Sequence, residues 1–190
     1  MGKENGRVIL YAPTWRDDYF IKKGSYKFFM PFDLEKITQC LGKEDTLVIR
    51  PHYLVGDSIN IVGYEDQIKV CMNEPINELY LISDLLITDY SSVMFDFAIL
   101  QRPMLFYPYD MEHYKEKLRG FYLDYNEVPG PIAQNEKDLY QFIQEFMLHG
   151  EFSQFKDKVN AFEKRFCQWE DGKASKRISQ SVMKQHEMLT

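Results

Sequence analysis

Only three of the 190 residues are cysteines, Cys40, Cys71 and Cys167, and none lies in a CxxC pair or at Cys/His ligand spacing. Neither a disulfide framework nor a zinc site is therefore suggested, and buried free thiols in a reducing cytoplasm are the expectation. Long apolar runs are missing too, so no transmembrane segment is expected, and there is no signal-peptide pattern. The polar start, Met1-Gly2-Lys3-Glu4-Asn5-Gly6, reads as a leader into a strand cut from something longer. A basic surplus is also absent. The formal charge of −6 argues against non-specific binding to nucleic acid or to an anionic membrane. It leaves room for a local basic site, because net charge does not describe a pocket. No internal repeat, low-complexity tract or Pro/Ser linker divides the chain.

What is present is ordinary in amount and rich in aromatics. Hydrophobic residues make up 45% and charged residues 27%, which fits a soluble globular protein and excludes general disorder. Fourteen Phe and thirteen Tyr supply much buried area per residue. The length fits one domain, or one domain with an appended helical segment.

Along the chain, strands alternate with helices. Arg7–Tyr11 (RVILY) reads as a buried strand closed by Ala12-Pro13-Thr14. Residues 17–30 show no clear period and read as a loop. Asp33 is placed to cap a helix with Leu34, Ile37 and Leu41 on one face, stopped by Gly42. Thr46–Arg50 and Ile68–Met72 are further strands, and Asn73-Glu74-Pro75 opens a helix carrying Ile76, Leu79, Tyr80 and Ile82. Asp84–Thr88 (DLLIT) is apolar throughout, as a parallel strand covered on both faces should be. Ser92–Leu100 reads as a helix, Pro103–Tyr107 as a strand and Asp138–Leu148 as a helix. From Phe152 the chain is helical, with a break at Asp171-Gly172. This pattern predicts an α/β fold with an open, parallel, Rossmann-like sheet over residues 1–150. Residues 151–190 are expected to be helices packed on it in the same structural domain.

The densest stretch is Ile82–Tyr109, ISDLLITDYSSVMFDFAILQRPMLFYPY. A buried strand ends at Thr88-Asp89, Tyr90-Ser91-Ser92 forms a turn, and a helix follows at once. Ligands of open α/β sheets bind at the carboxyl ends of strands, where unpaired N–H groups of a helix start suit a phosphate. Ser91 and Ser92 would add hydroxyl donors. Asp96, one turn on and on the same face, can accept hydrogen bonds from sugar or polyol hydroxyls. The competing reading is that Ser91 simply caps the helix and Asp96 is a solvated carboxylate.

The string ISDLLITDYSSVMFDFAILQRP closely resembles the CDP-glycerol glycerophosphotransferase family, which includes teichoic acid polymerases and primases and their polyribitol- and capsule-phosphate relatives. The resemblance extends through ILYAPTWRDD (Ile9–Asp18), RPHY (Arg50–Tyr53), LRGFYLDYNEVPGPI (Leu118–Ile132) and DGKASKRI (Asp171–Ile178). It implies the C-terminal, nucleotide-binding half of a glycosyltransferase-B (GT-B) fold. It also implies a CDP-polyol donor, glycerol or ribitol, and a polyol-phosphate or lipid-linked acceptor. An upstream domain bearing a His-Gly motif has no counterpart here, and its absence bears on independent catalysis. Work at the cytoplasmic face of the membrane is implied as well.

Each block nominates residues. Arg50 is expected as a charge clamp on the diphosphate and His52 as a donor or acid to the leaving phosphate. Arg16 and Thr14 are expected near phosphate, although a turn with a surface Arg–Asp pair explains that block too. Arg119 can reach a phosphate and Gly120 permits close backbone approach, or the loop merely packs its aromatics. Gly172, Lys173 and Ser175 form a second possible phosphate cradle, against a plain helix start capped by Asp171. His113, His149 and His186 are expected at the surface, and Lys156–Lys164 as a solvated helix face. No cofactor and no metal are expected, since Asp17-Asp18 is adjacent and sits in a loop. An isolated nucleotide-binding module without activity, or a domain like those of UDP-sugar transferases and epimerases, fits the same pattern.

Overall fold

A strand built from Leu85-Leu86-Ile87 has no polar face, so it must be covered on both sides. The computed structural model, which describes residues 6–16, 18–22, 25–55 and 59–187, supplies that cover. The leader up to Asn5, and Asp17 of the Asp17-Asp18 pair, lie outside the described residues, as does the side chain of His186.

In chain order the elements begin with β1 (Val8–Tyr11), β2 (Phe20–Lys22), β3 (Ser25–Tyr26), α1 (Leu34–Gln39), β4 (Thr46–Ile49) and β5 (Ile68–Val70). There follow α2 (Ile76–Ile82), β6 (Leu85–Thr88), α3 (Val93–Ala98), β7 (Met104–Phe106) and α4 (Met111–His113), the last running into a π-helical turn, Tyr114–Leu118. The chain closes with α5 (Glu136–His149), α6 (Lys156–Phe166) and α7 (Ala174–Glu187). Five strands form one sheet in the order β5-β4-β1-β6-β7, and every pairing is parallel. The expected strands are all there, each trimmed by a residue or more where pairing ends.

Successive strand residues point to opposite faces, and both faces are apolar. Ile9, Tyr11, Leu47, Ile49, Leu85 and Ile87 pack with Ile37 of α1 and with Leu139, Ile143 and Phe146 of α5. Leu10, Val48, Leu86 and Phe106 pack on the other side with α2, α3 and Phe162 of α6. Helix ends follow their caps. Asp33 accepts hydrogen bonds from the N–H groups of Glu35 and Lys36, and Asn135 accepts from that of Asp138. Gly150, at φ 76°, stops α5 in the left-handed region.

Three expectations change. The segment read as a loop holds a short antiparallel hairpin of β2 and β3, too irregular in sequence to show a period of two. The C-terminal helices do not behave alike. Phe162 of α6 stacks on Phe95 of α3 and Val159 is buried, whereas Ile178, Val182 and Met183 of α7 remain about 60% exposed. Of the free thiols only Cys167 is buried; Cys40 and Cys71 are half-buried. Among the described residues no helix is long and apolar enough to cross a membrane.

Candidate functional site

The strand order puts the topological switch between β1 and β6, so the chain leaving each of these strands meets the other at the carboxyl edge. Thr14 donates its backbone N–H to Asp89 Oδ1 at 2.8 Å, and Thr88 donates its hydroxyl to the Ala12 carbonyl at 2.7 Å. Asp89, 1% exposed, also accepts the Tyr90 N–H on Oδ1 at 2.6 Å and Arg16 Nη2 on Oδ2 at 2.9 Å. One carboxylate thus ties the loop after β1 to the turn after β6.

Arg16 was expected against a phosphate, and the structure buries it instead. It forks onto Asp110, Nε to Oδ2 at 2.7 Å and Nη2 to Oδ1 at 2.8 Å, and Nη1 donates to the Thr14 carbonyl at 2.6 Å. Its guanidinium carbon lies 5.2, 5.1 and 5.3 Å from the ring centres of Tyr90, Tyr109 and Tyr114. Burial alone would lower its pKa, but the hydrogen bond to Asp110 and the charge of Asp89 more than offset that and raise it. Tyr90 adds a hydroxyl bond to Asp110 at 3.1 Å, and Tyr125 donates to the Asp89 carbonyl at 2.9 Å.

Beside this knot lies a shelf built from three loops. The imidazole of His52 stacks on Trp15, ring centres 5.3 Å apart, and touches Tyr53 at 4.3 Å. The guanidinium of Arg119 sits 5.5 Å from the Trp15 ring centre. Partial burial, then the positive charges of Arg119 and Arg50, hold the His52 pKa below its ordinary value and favour the neutral imidazole. Arg50 Nη1 donates to the carbonyls of Cys71 (3.1 Å) and Met72, which ties the end of β4 to the chain beyond β5. Thr14 Oγ1 is buried without a hydrogen-bond partner at a narrow cleft, about 20 Å³, lined also by Trp15, Arg16, His52 and Tyr109.

At the turn, Ser91 Oγ is 3.5 Å from the Val93 N–H, at the edge of hydrogen-bonding range, and Ser92 makes no side-chain capping bond. The capping reading therefore accounts for little of either hydroxyl. Ser92 and Asp96 are both exposed, and their i, i+4 spacing sets them on one face of α3. Partial burial and the nearby charge of Glu170 raise the Asp96 pKa. On the far side of Tyr90, an aromatic pocket of about 220 Å³ is lined by Tyr114, Phe121, Tyr125 and Arg119.

The structure thus gathers Thr14, Arg16, Arg50, His52, Ser91 and Arg119 at one edge. Gly172, Lys173 and Ser175 stand at the exposed start of α7, where Asp171 accepts the Lys173 N–H at 2.9 Å in a turn just ahead of the helix. Gly120 has φ 65° and is required by its backbone conformation. The close approach belongs to Gly130, where a Cβ would lie 2.0 Å from the Met104 carbonyl oxygen. Trp15, Asp89, Tyr90 and Asp110 join the site although the sequence had not marked them for it. Asp89 and Tyr90 stood inside the motif, whereas nothing local marked Asp110. His113, expected at the surface, is half-exposed and pairs with Asp18 at 2.6 Å. Among the described residues no three His, Cys, Asp or Glu side chains gather to hold a metal ion.

Residues 1–184 match the family model described as CDP-Glycerol:Poly(glycerophosphate) glycerophosphotransferase. The chain belongs to this family. Similar members of the glycerophosphotransferase family include a teichoic acid glycerol-phosphate transferase of Staphylococcus aureus, 46% identical over 180 residues, 94% of this chain and 45% of that protein. A teichoic acid poly(glycerol phosphate) polymerase of Bacillus subtilis is 44% identical over 185 residues, covering 94% of this chain and 24% of its own length. Among solved structures, the wall teichoic acid polymerase TagF superposes with a TM-score of 0.80 at 42% identity, over 97% of this chain and 45% of that one. A variant of it soaked with CDPG superposes with a TM-score of 0.79. The fold is accordingly α/β and GT-B-like, and the chain spans about half, or less, of the relatives it matches.

Proposed function

We propose that this chain is the donor-binding half of a polyol-phosphate transferase that takes glycerol phosphate, or ribitol phosphate, from a CDP-activated donor. The observation that carries this reading is the Asp89 link at the topological switch, which joins the loop carrying Trp15, with His52 and Arg119 on its indole, to the Tyr90-Ser91-Ser92 turn. Serine hydroxyls that capping does not take up and the cations of Arg119 and Arg50 suit a diphosphate, and Asp96 suits a ribose or polyol hydroxyl. In the reaction, an acceptor hydroxyl attacks the phosphorus bearing the polyol; the P–O bond to CMP breaks and CMP leaves with that electron pair. A neutral His52 N–H can donate to the diphosphate. If donor binding leads His52 to take up a proton from solvent, the imidazolium can return it to the leaving phosphate oxygen and so act as an acid. The attacking hydroxyl must lose its proton to a base, assigned here to an upstream domain of the native protein. Gly172, Lys173 and Ser175 are kept as a second phosphate contact. The acceptor, a polyol-phosphate or lipid-linked chain, would enter between the two domains at the cytoplasmic face of the membrane.

Calorimetric titration with CDP, CMP and UDP tests the reading. Binding of the cytidine nucleotides in preference to UDP supports it, and binding of none of them sinks it. A second reading, a nucleotide-binding module inactive by itself, is favoured by the share of the relatives that the chain spans. It predicts cytidine binding without turnover of CDP-glycerol.

A further inference from the structure

Arg16 has a fixed relation to three loops, and its bonds are of the kind that set geometry. Its planar fork takes Asp110 through two nitrogens, at 2.7 and 2.8 Å, and one of those nitrogens also reaches Asp89 at 2.9 Å. Asp89 in turn accepts the backbone N–H of Thr14, next to Trp15, and of Tyr90, next to Ser91. Asp110 lies beyond β7, at the start of α4, which runs into the π-helical turn that leads to Arg119. The side chains of Arg16 and Asp89 are 5% and 2% exposed, so little solvent loosens the pair. The tyrosines around the guanidinium close it off further.

We infer that the Asp89–Arg16–Asp110 ion triad is a positioning device: it sets the spacing between the Trp15–His52 shelf, the Ser91-Ser92 turn and the Arg119 loop. Arg16 does this without touching the donor. Like charges face each other across the triad, Asp89 and Asp110, and only a forked cation can bridge both while also bonding the Thr14 carbonyl. Lysine carries the charge but not the fork. A bridge of this kind lets three loops from separated parts of the sequence present their ligand groups at one distance. The inference rests on the cytidine-nucleotide reading for its ligand, but not for its geometry.

The experiment measures two things on the same proteins. CMP and CDP affinities are read by calorimetry. Trp15 emission is read in a Trp169→Phe background, which leaves Trp15 as the sole tryptophan. Asp110→Asn and Arg16→Lys are expected to remain folded by circular dichroism, to lose about tenfold or more in affinity, and to shift Trp15 emission. Tyr90→Phe removes only the 3.1 Å bond to Asp110 and is expected to give a smaller loss in the same direction; it serves if the charge variants do not fold. A lowered melting temperature with unchanged affinity and unchanged Trp15 emission overturns the proposal, as does Arg16→Lys behaving like the parent. If the parent binds no cytidine nucleotide, the ligand reading falls. The Trp15 arm then decides positioning alone: a shift sustains it and constancy overturns it.

Discussion

His52 lies with its imidazole stacked on the indole of Trp15, the planes 18° apart, although the two residues leave different strands. The stack fixes which face of the imidazole meets solvent and brings Arg119, on the same indole, close enough to act on its charge. Burial and the cations of Arg119 and Arg50 therefore favour the neutral ring in the free protein.

Removing one of those cations should be visible in the titration of the ring. Burial, Arg119 and Arg50 all depress the His52 pKa, so Arg119→Ala should move it up toward 6.5, as followed by NMR of the imidazole protons. The sign for stability follows. With the folded value below the unfolded one, the contribution of His52 is complete above about pH 6.5 and is lost as pH falls toward the folded value. Urea unfolding at several pH values should show this loss in the parent and less of it in Arg119→Ala.

A bound diphosphate brings negative charge to the same ring and should raise its pKa. Nucleotide binding near pH 6 should then take up protons, which calorimetry detects as a heat that varies with the ionisation enthalpy of the buffer. His52→Gln should abolish that variation.

The serines make almost no internal bonds that their loss would break. Ser91→Ala with Ser92→Ala should change unfolding free energy by no more than about 0.5 kcal/mol. The same pair should weaken CDP binding about tenfold, close to 1.4 kcal/mol. Loss of stability with unchanged binding would return both residues to helix capping.

Thr14 offers the opposite signature. Its hydroxyl is buried and unpartnered, so Thr14→Val should leave stability unchanged or raise it by up to about 1 kcal/mol. If the cleft beside it receives part of the donor, affinity should fall at the same time.

The two glycines of the loop after β7 should separate by mechanism. At Gly130 an added methyl meets the Met104 carbonyl, a backbone group that cannot step aside, and Gly130→Ala should cost about 3 kcal/mol. At Gly120 an added methyl makes only an ordinary contact, 3.6 Å from the Lys115 carbonyl oxygen, and the strain lies in the positive φ, so Gly120→Ala should cost about 1 kcal/mol. Denaturant midpoints with constant slope measure both.

Much of this was written in local sequence. The apolar run at Leu85–Ile87 requires cover on both faces, Asp33 begins α1 by accepting its first free N–H groups, and the turn before α3 announces itself by its serines. These are short-range effects of side-chain polarity and backbone hydrogen bonding, and neighbouring residues settle them. The hairpin of β2 and β3 escaped because two- and three-residue strands are too short to show a period.

Strand order is different in kind, because it depends on which crossovers the whole chain makes. Only that order places Thr14 and Asp89 side by side at the switch between β1 and β6, and so makes Arg16 a buried bridge where the sequence had suggested a phosphate ligand. Asp110, 94 residues along, carries no local mark of that partnership. The sequence alone determined that this chain is a parallel α/β domain with a serine turn at a strand's carboxyl end. The tertiary structure decided which side chains face that turn and which are consumed in holding it, because an ion pair deep in the fold is chosen by proximity and desolvation, neither of which exists until the strands are paired.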